Sequence, residues 1–199
     1  MTLPQPATLL GGISPERFLR EYWQKKPLLV RQAFPELENP LSPDELAGLA
    51  LEEEVESRIV LTEGATPWEL RRGPFGEDDF KTLPEQDWTL LVQAVDQFVP
   101  EVAELMKAFS FLPSWRLDDV MVSYAAPGGS VGPHYDNYDV FLLQSHGRRR
   151  WKIGQHCDDQ SPLLEHPDLR ILKDFVEEQE WVLEPGDVLY IPPGIAHYG

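Results

Sequence analysis

From Trp115 to its end the chain is cut into short β-prone runs, DDVMVSYA, YDVFLLQ, RRRWKIG and EWVLEPGDVLYIPPG, each closed off by turn residues. Runs of this length are too short for helices that bury a core, and their Val, Ile, Tyr and Trp content suits a pleated, half-buried surface. Pro127-Gly128 and Pro185-Gly186 mark two of the reversals. Short strands joined by tight turns predict an antiparallel sandwich or barrel-like core over this half of the chain.

The first half has a different texture. Ser14 is a predicted N-cap with Pro15 at the first helical position, and Phe18, Leu19, Tyr22 and Trp23 share one helical face until Pro27 ends the helix. LLVR then reads as a short β-prone run, and LSPDELAGLA repeats the Ser-Pro start with Asp44 and Glu45 in the first turn, where the helix dipole favours carboxylates. SRIVLT and PWELRRG read as strands joined at Glu63-Gly64. In DWTLLVQAVDQFVPEVAELMKAF, Leu90, Leu91, Ala94, Val95 and Phe98 recur at helical spacing, so a helix is predicted there, kinked or split at Pro100. Residues 1–100 are thus expected to be a mixed helical and strand region packing on a β core at 101–199. The predicted fold class is mainly β with N-terminal helices.

The chain has 199 residues, 42% of them hydrophobic, which suffices for one real core. No run approaches the roughly 18 apolar residues of a spanning helix, and the opening MTLPQPATLLGG lacks the basic start of a signal peptide. The expectation is a cytoplasmic protein with no membrane partner. The single Cys157 can neither form an internal disulfide nor join a second thiolate on a metal. With 17 Lys and Arg against 34 Asp and Glu, the formal charge of −17 argues against nucleic acid as a direct partner. It fits either simple solubility or attraction of a basic partner.

Within the β-rich half, GPHYDNYD places His134 and Asp136 two positions apart. On a strand they share a face and Tyr135 takes the other. A third ligand is available from EPGDVLYIPPGIAHYG, where an apolar strand meets a Pro192-Pro193-Gly194 corner and then His197. Two imidazoles and one carboxylate make the facial triad that holds non-haem Fe(II) and leaves positions open for oxygen and a chelating co-substrate. Any one of these residues alone more often has a packing or surface role; their combination points to a metal. His146, His156 and His166 fall in a turn or a polar loop and are expected to be solvated.

The basic run RRRWKI resolves by its period of two. Arg148, Arg150 and Lys152 share one face, while Arg149, Trp151 and Ile153 share the other. The mostly apolar face belongs inside, so Arg149 points inward. If the turn at Ser145 to Gly147 pairs Leu142 with Arg149, Arg149 also lies on the face of His134 and Asp136. A buried guanidinium needs an anion, either a dicarboxylate ligand or an internal carboxylate.

Three stretches together, VGPHYDNYDVFLLQSHGRRRW, LEPGDVLYIPPGIAH and the upstream pair NPLSPDELAGLALEEEVESRIV with DWTLLVQAVD, resemble the JmjC-type 2-oxoglutarate-dependent oxygenases, and within them the bacterial ribosomal oxygenases. The resemblance extends over nearly the whole chain. It implies a double-stranded β-helix, the jelly roll of cupin-like proteins, with His134, Asp136 and His197 binding Fe(II) and Arg149 clamping the distal carboxylate of 2-oxoglutarate. It further implies consumption of O2 and hydroxylation of the β-carbon of an arginine in a basic large-subunit ribosomal protein. Asp118, Asp119, Tyr124, Asn137 and Tyr138, which flank the triad in sequence, are the candidates for gripping that arginine. Members of the family continue past the third ligand with closing strands, dimerisation helices and a winged-helix-like domain, so a jelly roll incomplete at its C-terminus and a homodimer formed through absent segments are expected. Rival readings are an oxygenase with a histidyl, lysyl or small-molecule target, another metal-binding cupin, and a non-catalytic adaptor for a basic partner.

Overall fold

The computed structural model describes residues 3–64 and 67–199. After a short α1 (Pro6–Leu9), both Ser-Pro pairs open helices. Ser14 Oγ accepts from the Arg17 N–H at 3.2 Å, and Pro15, which has no N–H to leave unpaired, begins α2 (Pro15–Glu21). Phe18 is fully buried from this helix, whereas Leu19 is 38% exposed, so the expected apolar face is narrower than its sequence pattern. The helix also ends before Pro27. Gln24 takes a φ of +56°, and its N–H leaves the helical path to donate to the Tyr190 hydroxyl at 2.8 Å. Strand β1 (Leu28–Val30) follows, then α3 (Pro43–Leu49), opened by a reciprocal cap in which Ser42 and Glu45 each bind the other's backbone N–H.

Strands β2 (Ser57–Glu63) and β3 (Pro67–Arg72) pair antiparallel as expected, although their connection runs on beyond Gly64 through residues outside the described ones. Helix α4 (Glu77–Lys81) follows. Residues expected to begin a helix form strand β4 (Trp88–Val92). This strand lies between β2 and β5 (Val122–Ala125), and Thr89 to Val92 are all buried. A strand covered on both faces shows an unbroken apolar run, which periodicity cannot separate from a helix; the aromatic and β-branched Trp88, Thr89 and Val92 were the better guide. A single 3-10 turn at Val95–Gln97 intervenes, and Pro100 is then the first residue of α5 (Pro100–Met106) instead of a kink.

The β-rich half continues with β6 (Val140–Leu143), β7 (Arg149–His156), β8 (Glu177–Leu183), β9 (Val188–Ile191) and β10 (Ile195–Tyr198). The described strands form three sheets, ordered β3-β2-β4-β5, β1-β9-β6 and β10-β7-β8. The chain changes sheet between β9 and β10 at the Pro192-Pro193-Gly194 corner, so the last two sheets face each other across a core of Ile153, Leu183, Leu189 and Ile191. Sheet switching of this kind is the jelly-roll arrangement. The expected pairing of Leu142 with Arg149 does not occur. Leu142 pairs with Leu189 and Arg149 with Leu183, because β6 and β7 belong to different sheets and the segment between them crosses the sandwich. Among the described residues no helix is long and apolar enough to cross a membrane.

One buried charge fastens the β8–β9 turn to β1. Asp187, 1% exposed, accepts from Arg31 Nη1 at 2.6 Å, the Gln32 N–H at 2.9 Å and the Glu184 N–H at 3.0 Å. Burial pushes its carboxyl up, but these donors outweigh that and hold it below its usual value. Asp187→Ala should cost about 1–3 kcal/mol, since it removes the acceptor that three donors share. Because the folded-state pKa is depressed, this contribution is complete above the unfolded carboxyl value of roughly 3.9 and is lost as pH falls through the folded one. Chemical denaturation of wild type and Asp187→Ala from pH 7 to pH 3 should show the gap between them closing at the acid end.

Candidate metal centre

The two histidines meet through their backbones before their side chains come into play. His134 N–H donates to His197 O at 3.0 Å and His197 N–H donates back to His134 O at 2.8 Å, a lone antiparallel bridge at the end of β10. His134 is therefore not in a full strand as expected, and Asp136 lies in extended chain beyond it. The alternation survives nonetheless. Tyr135 points away to pack with Cys157, Leu172 and Ala196, and its hydroxyl donates to Asp158 O at 2.8 Å. Asp136 is fixed by its own carbonyl, which accepts from the Gly194 N–H at 2.8 Å. Gly194 has a φ of +75°, a conformation that a side chain would strain.

The side chains converge. His134 and His197 rings lie 4.3 Å apart, His197 Nε2 is 3.5 Å from Asp136 Oδ2, and one ligand-capable atom from each of the three residues lies within 4.8 Å of the others. His134 Nδ1 sits 2.9 Å from Gly132 O and His197 Nδ1 sits 3.0 Å from Ile195 O. A carbonyl only accepts, so each Nδ1 carries the proton and each Nε2 keeps its lone pair for the centre. Metal-binding imidazoles are commonly oriented in this way. The residues fit a divalent ion by donor type, spacing and tautomer.

Electrostatics agree. Burial, followed by the neighbouring His197, lowers the His134 pKa to about 4, so the imidazole is neutral near pH 7. Burial pushes the Asp136 carboxyl up, yet its His197, His134 and Tyr138 neighbours leave it below its usual value and ionised. Arg149 begins β7 with its guanidinium 5.1 Å over the Trp151 ring, and that ring lies 6.0 Å from His197. Its charge reaches His134, where it too disfavours protonation. Among the described residues Arg149 makes no ion pair, and its buried Nε has no hydrogen-bond partner; burial lowers its pKa with no carboxylate to offset the loss. Of the two anions the sequence allowed, the internal carboxylate is absent from the described residues. Arg150 and Lys152 point outward to Glu180 and Glu177, as their parity predicts.

The flanking candidates separate. Tyr138 is 63% exposed and its hydroxyl acts on the Asp136 carboxylate, while Asp119 lies near enough to influence Tyr138. Asp119 is also occupied structurally, accepting from Gln93 Nε2 at 2.6 Å and the Ala94 N–H at 2.9 Å. Tyr124 packs 5.4 Å from Trp88, and Asp118 and Asn137 are exposed. Trp151, which lines the centre beside Arg149 and His197, had no assigned role although its parity with Arg149 already placed it inside. Of the other histidines, His146 and His156 are exposed as expected, although His156 ends β7 and does not lie in a loop, while His166 bonds Trp68 O and two backbone N–H groups and is a structural residue instead of a solvated one.

A facial cluster of two histidines and an aspartate inside a jelly roll defines a metal-dependent cupin-like protein. Residues 104–199 match the JmjC domain. The chain is 47% identical over 188 residues to a probable ribosomal oxygenase of Haemophilus influenzae, covering 94% of this chain and 46% of that protein. It is also 47% identical over 188 residues to the ribosomal protein uL16 3-hydroxylase of Escherichia coli, covering 92% of this chain and 48% of that protein. The solved structure of YcfD, a ribosomal oxygenase from Escherichia coli, in complex with cobalt and 2-oxoglutarate superposes with a TM-score of 0.82 at 44% identity, over 94% of this chain and 47% of that one. The chain thus spans about half the length of these relatives.

In the metal-free protein the depressed His134 pKa has a definite sign. His134 favours the folded state fully above its unfolded value of roughly 6.5, and that contribution drains away as pH falls toward about 4. An NMR titration should find one imidazole still neutral at pH 5, and the thermal midpoint of the wild type should decline over the same interval.

Proposed function

We propose that this chain is the catalytic region of an Fe(II)- and 2-oxoglutarate-dependent protein hydroxylase acting on the β-carbon of an arginine in a large-subunit ribosomal protein. The observation that carries the reading is the convergence of His134, Asp136 and His197 with both Nε2 atoms free, beside an Arg149 that has no anion of its own. His134, Asp136 and His197 would hold the ion, and a triad of this type leaves coordination positions for co-substrate and oxygen. Arg149 takes the distal carboxylate of 2-oxoglutarate, which supplies its missing partner. Iron with 2-oxoglutarate contributes the oxidising chemistry, consuming O2 and yielding succinate and carbon dioxide as the target C–H bond is hydroxylated.

The protein's own work is positioning. The Gly132 and Ile195 carbonyls set the two ring planes, ionised Asp136 adds the hard oxygen donor, and Trp151 and Ile153 keep the wall beside Arg149 apolar. Around the entrance, the exposed Tyr138 ring with Asp119 behind it suits a guanidinium, which stacks on aromatic faces and pairs with carboxylates; Asp118, Asn137 and Tyr124 are further candidates. The formal charge of −17 favours encounter with a basic ribosomal protein, a substrate that puts the reaction in the cytoplasm. The similarity to the ribosomal protein uL16 3-hydroxylase supports a ribosomal-protein substrate and hydroxylation at a 3-position, and the arginine is what the family resemblance implies.

The test is an anaerobic titration with Fe(II) and then 2-oxoglutarate, followed by the visible metal-to-ligand charge-transfer band. The wild type should develop the band and Asp136→Ala should not. Arg149→Ala should weaken 2-oxoglutarate binding about a hundredfold, within the roughly 2–5 kcal/mol that removing one partner of a buried charge pair costs. No band in the wild type overturns the reading. With a ribosomal-protein peptide and air, one oxygen atom should be added to an arginine; addition to a histidine or lysine would replace the target and keep the chemistry.

A further inference from the structure

Tyr190 is among the most buried side chains in the protein, 1% exposed, and its hydroxyl is not idle. It accepts from the Gln24 N–H at 2.8 Å and donates to Asp139 Oδ1, while Gln24 Nε2 donates to the other oxygen, Asp139 Oδ2, at 3.2 Å. The ring is walled in by Trp23 at 5.8 Å, Phe18 at 5.0 Å and Phe141 at 5.0 Å, so the hydroxyl has little freedom to point elsewhere. Burial, with Asp139 as acceptor, holds the phenol far above its usual pKa, which keeps the proton available for donation. Gln24 is held at a φ of +56° where this hydrogen bond forms, a conformation that costs energy for a residue with a side chain.

Asp139 closes the segment that begins at His134 and carries Asp136, and β6 starts at the next residue. That segment is tied at three points to the stretch between Tyr190 and His197. The His134–His197 bridge holds its start, the Gly194 N–H holds the Asp136 carbonyl, and the Tyr190 hydroxyl holds the Asp139 side chain at its end. The first two ties are backbone bonds; the third is made by side chains. From this geometry we infer that Asp139 and Tyr190 are positioning residues for the metal centre: with Gln24 they form a clasp that fixes the far end of the ligand-bearing segment and so the place of the Asp136 carboxylate. The clasp also makes the C-terminal end of α2 part of the support of the centre. The inference rests on the reading of His134, Asp136 and His197 as metal ligands.

The test is titration of the metal-free protein with Co(II) alone, read by its visible ligand-field absorption, for wild type, Asp136→Ala, Tyr190→Phe, Asp139→Ala and Asp139→Asn, with thermal unfolding of each metal-free form. Tyr190→Phe removes one oxygen and keeps the ring packing. It should weaken Co(II) binding on the order of tenfold, at the low end of the losses seen when groups orienting metal ligands are removed, and alter the band shape. Asp139→Ala should do the same, and Asp139→Asn, which still offers an acceptor to the hydroxyl, should recover most of the affinity. If Tyr190→Phe and Asp139→Ala lower the unfolding midpoint but bind Co(II) with wild-type affinity and spectrum, the clasp is only structural and the inference is overturned while the metal centre stands. If the wild type binds Co(II) no better than Asp136→Ala, the metal-centre reading itself fails, and the inference with it.

Discussion

The site depends on a pair of backbone hydrogen bonds, His134 N–H to His197 O and back, that join two residues far apart in the chain. They form because His197 ends a strand already paired with β7, so that its free edge meets the incoming His134 segment. The position of His197 depends in turn on the chain leaving β9, turning at Pro192-Pro193-Gly194 and entering the opposite sheet. Two adjoining prolines restrict the corner's backbone and Gly194 supplies the left-handed residue that closes it. A segment bridged by its backbone to the edge of a paired strand holds the two imidazoles 4.3 Å apart with their Nδ1 atoms tied back.

Much of this was legible because a strand's period of two is robust to details of pairing. His134 and Asp136 against Tyr135, and Arg149 with Trp151 and Ile153 against Arg150 and Lys152, all kept the sides their spacing assigns. The helix caps at Ser14 and Ser42 were equally plain, since a cap is satisfied within a few residues of sequence. What failed involved partners distant in sequence. The assumed Leu142–Arg149 pair placed Arg149 beside the triad by the wrong route; it reaches the site because β7 is flanked by β10, which carries His197. Residues 88–92 became a strand because β2 and β5 flank them, a fact no local pattern contains. The Tyr190 hydroxyl was invisible for the same reason, its acceptor and donor lying on segments remote from it.

Charge explains why Arg149 and the triad belong to one site. At the site the anion is Asp136 and the cation is Arg149, and they do not pair with each other. In a medium of low dielectric the Asp136 charge is offset by His197, His134 and Tyr138, whereas the Arg149 charge has no such offset and is costly to bury. Imidazoles bind metals in their neutral form, so a dication at the triad would leave the centre with a net positive charge, to which Arg149 adds another. A dianionic acid that places one carboxylate at the metal and the other at Arg149 cancels both. On the proposed reading, the same arithmetic favours a dicarboxylate, because a monocarboxylate at the metal leaves Arg149 unpaired.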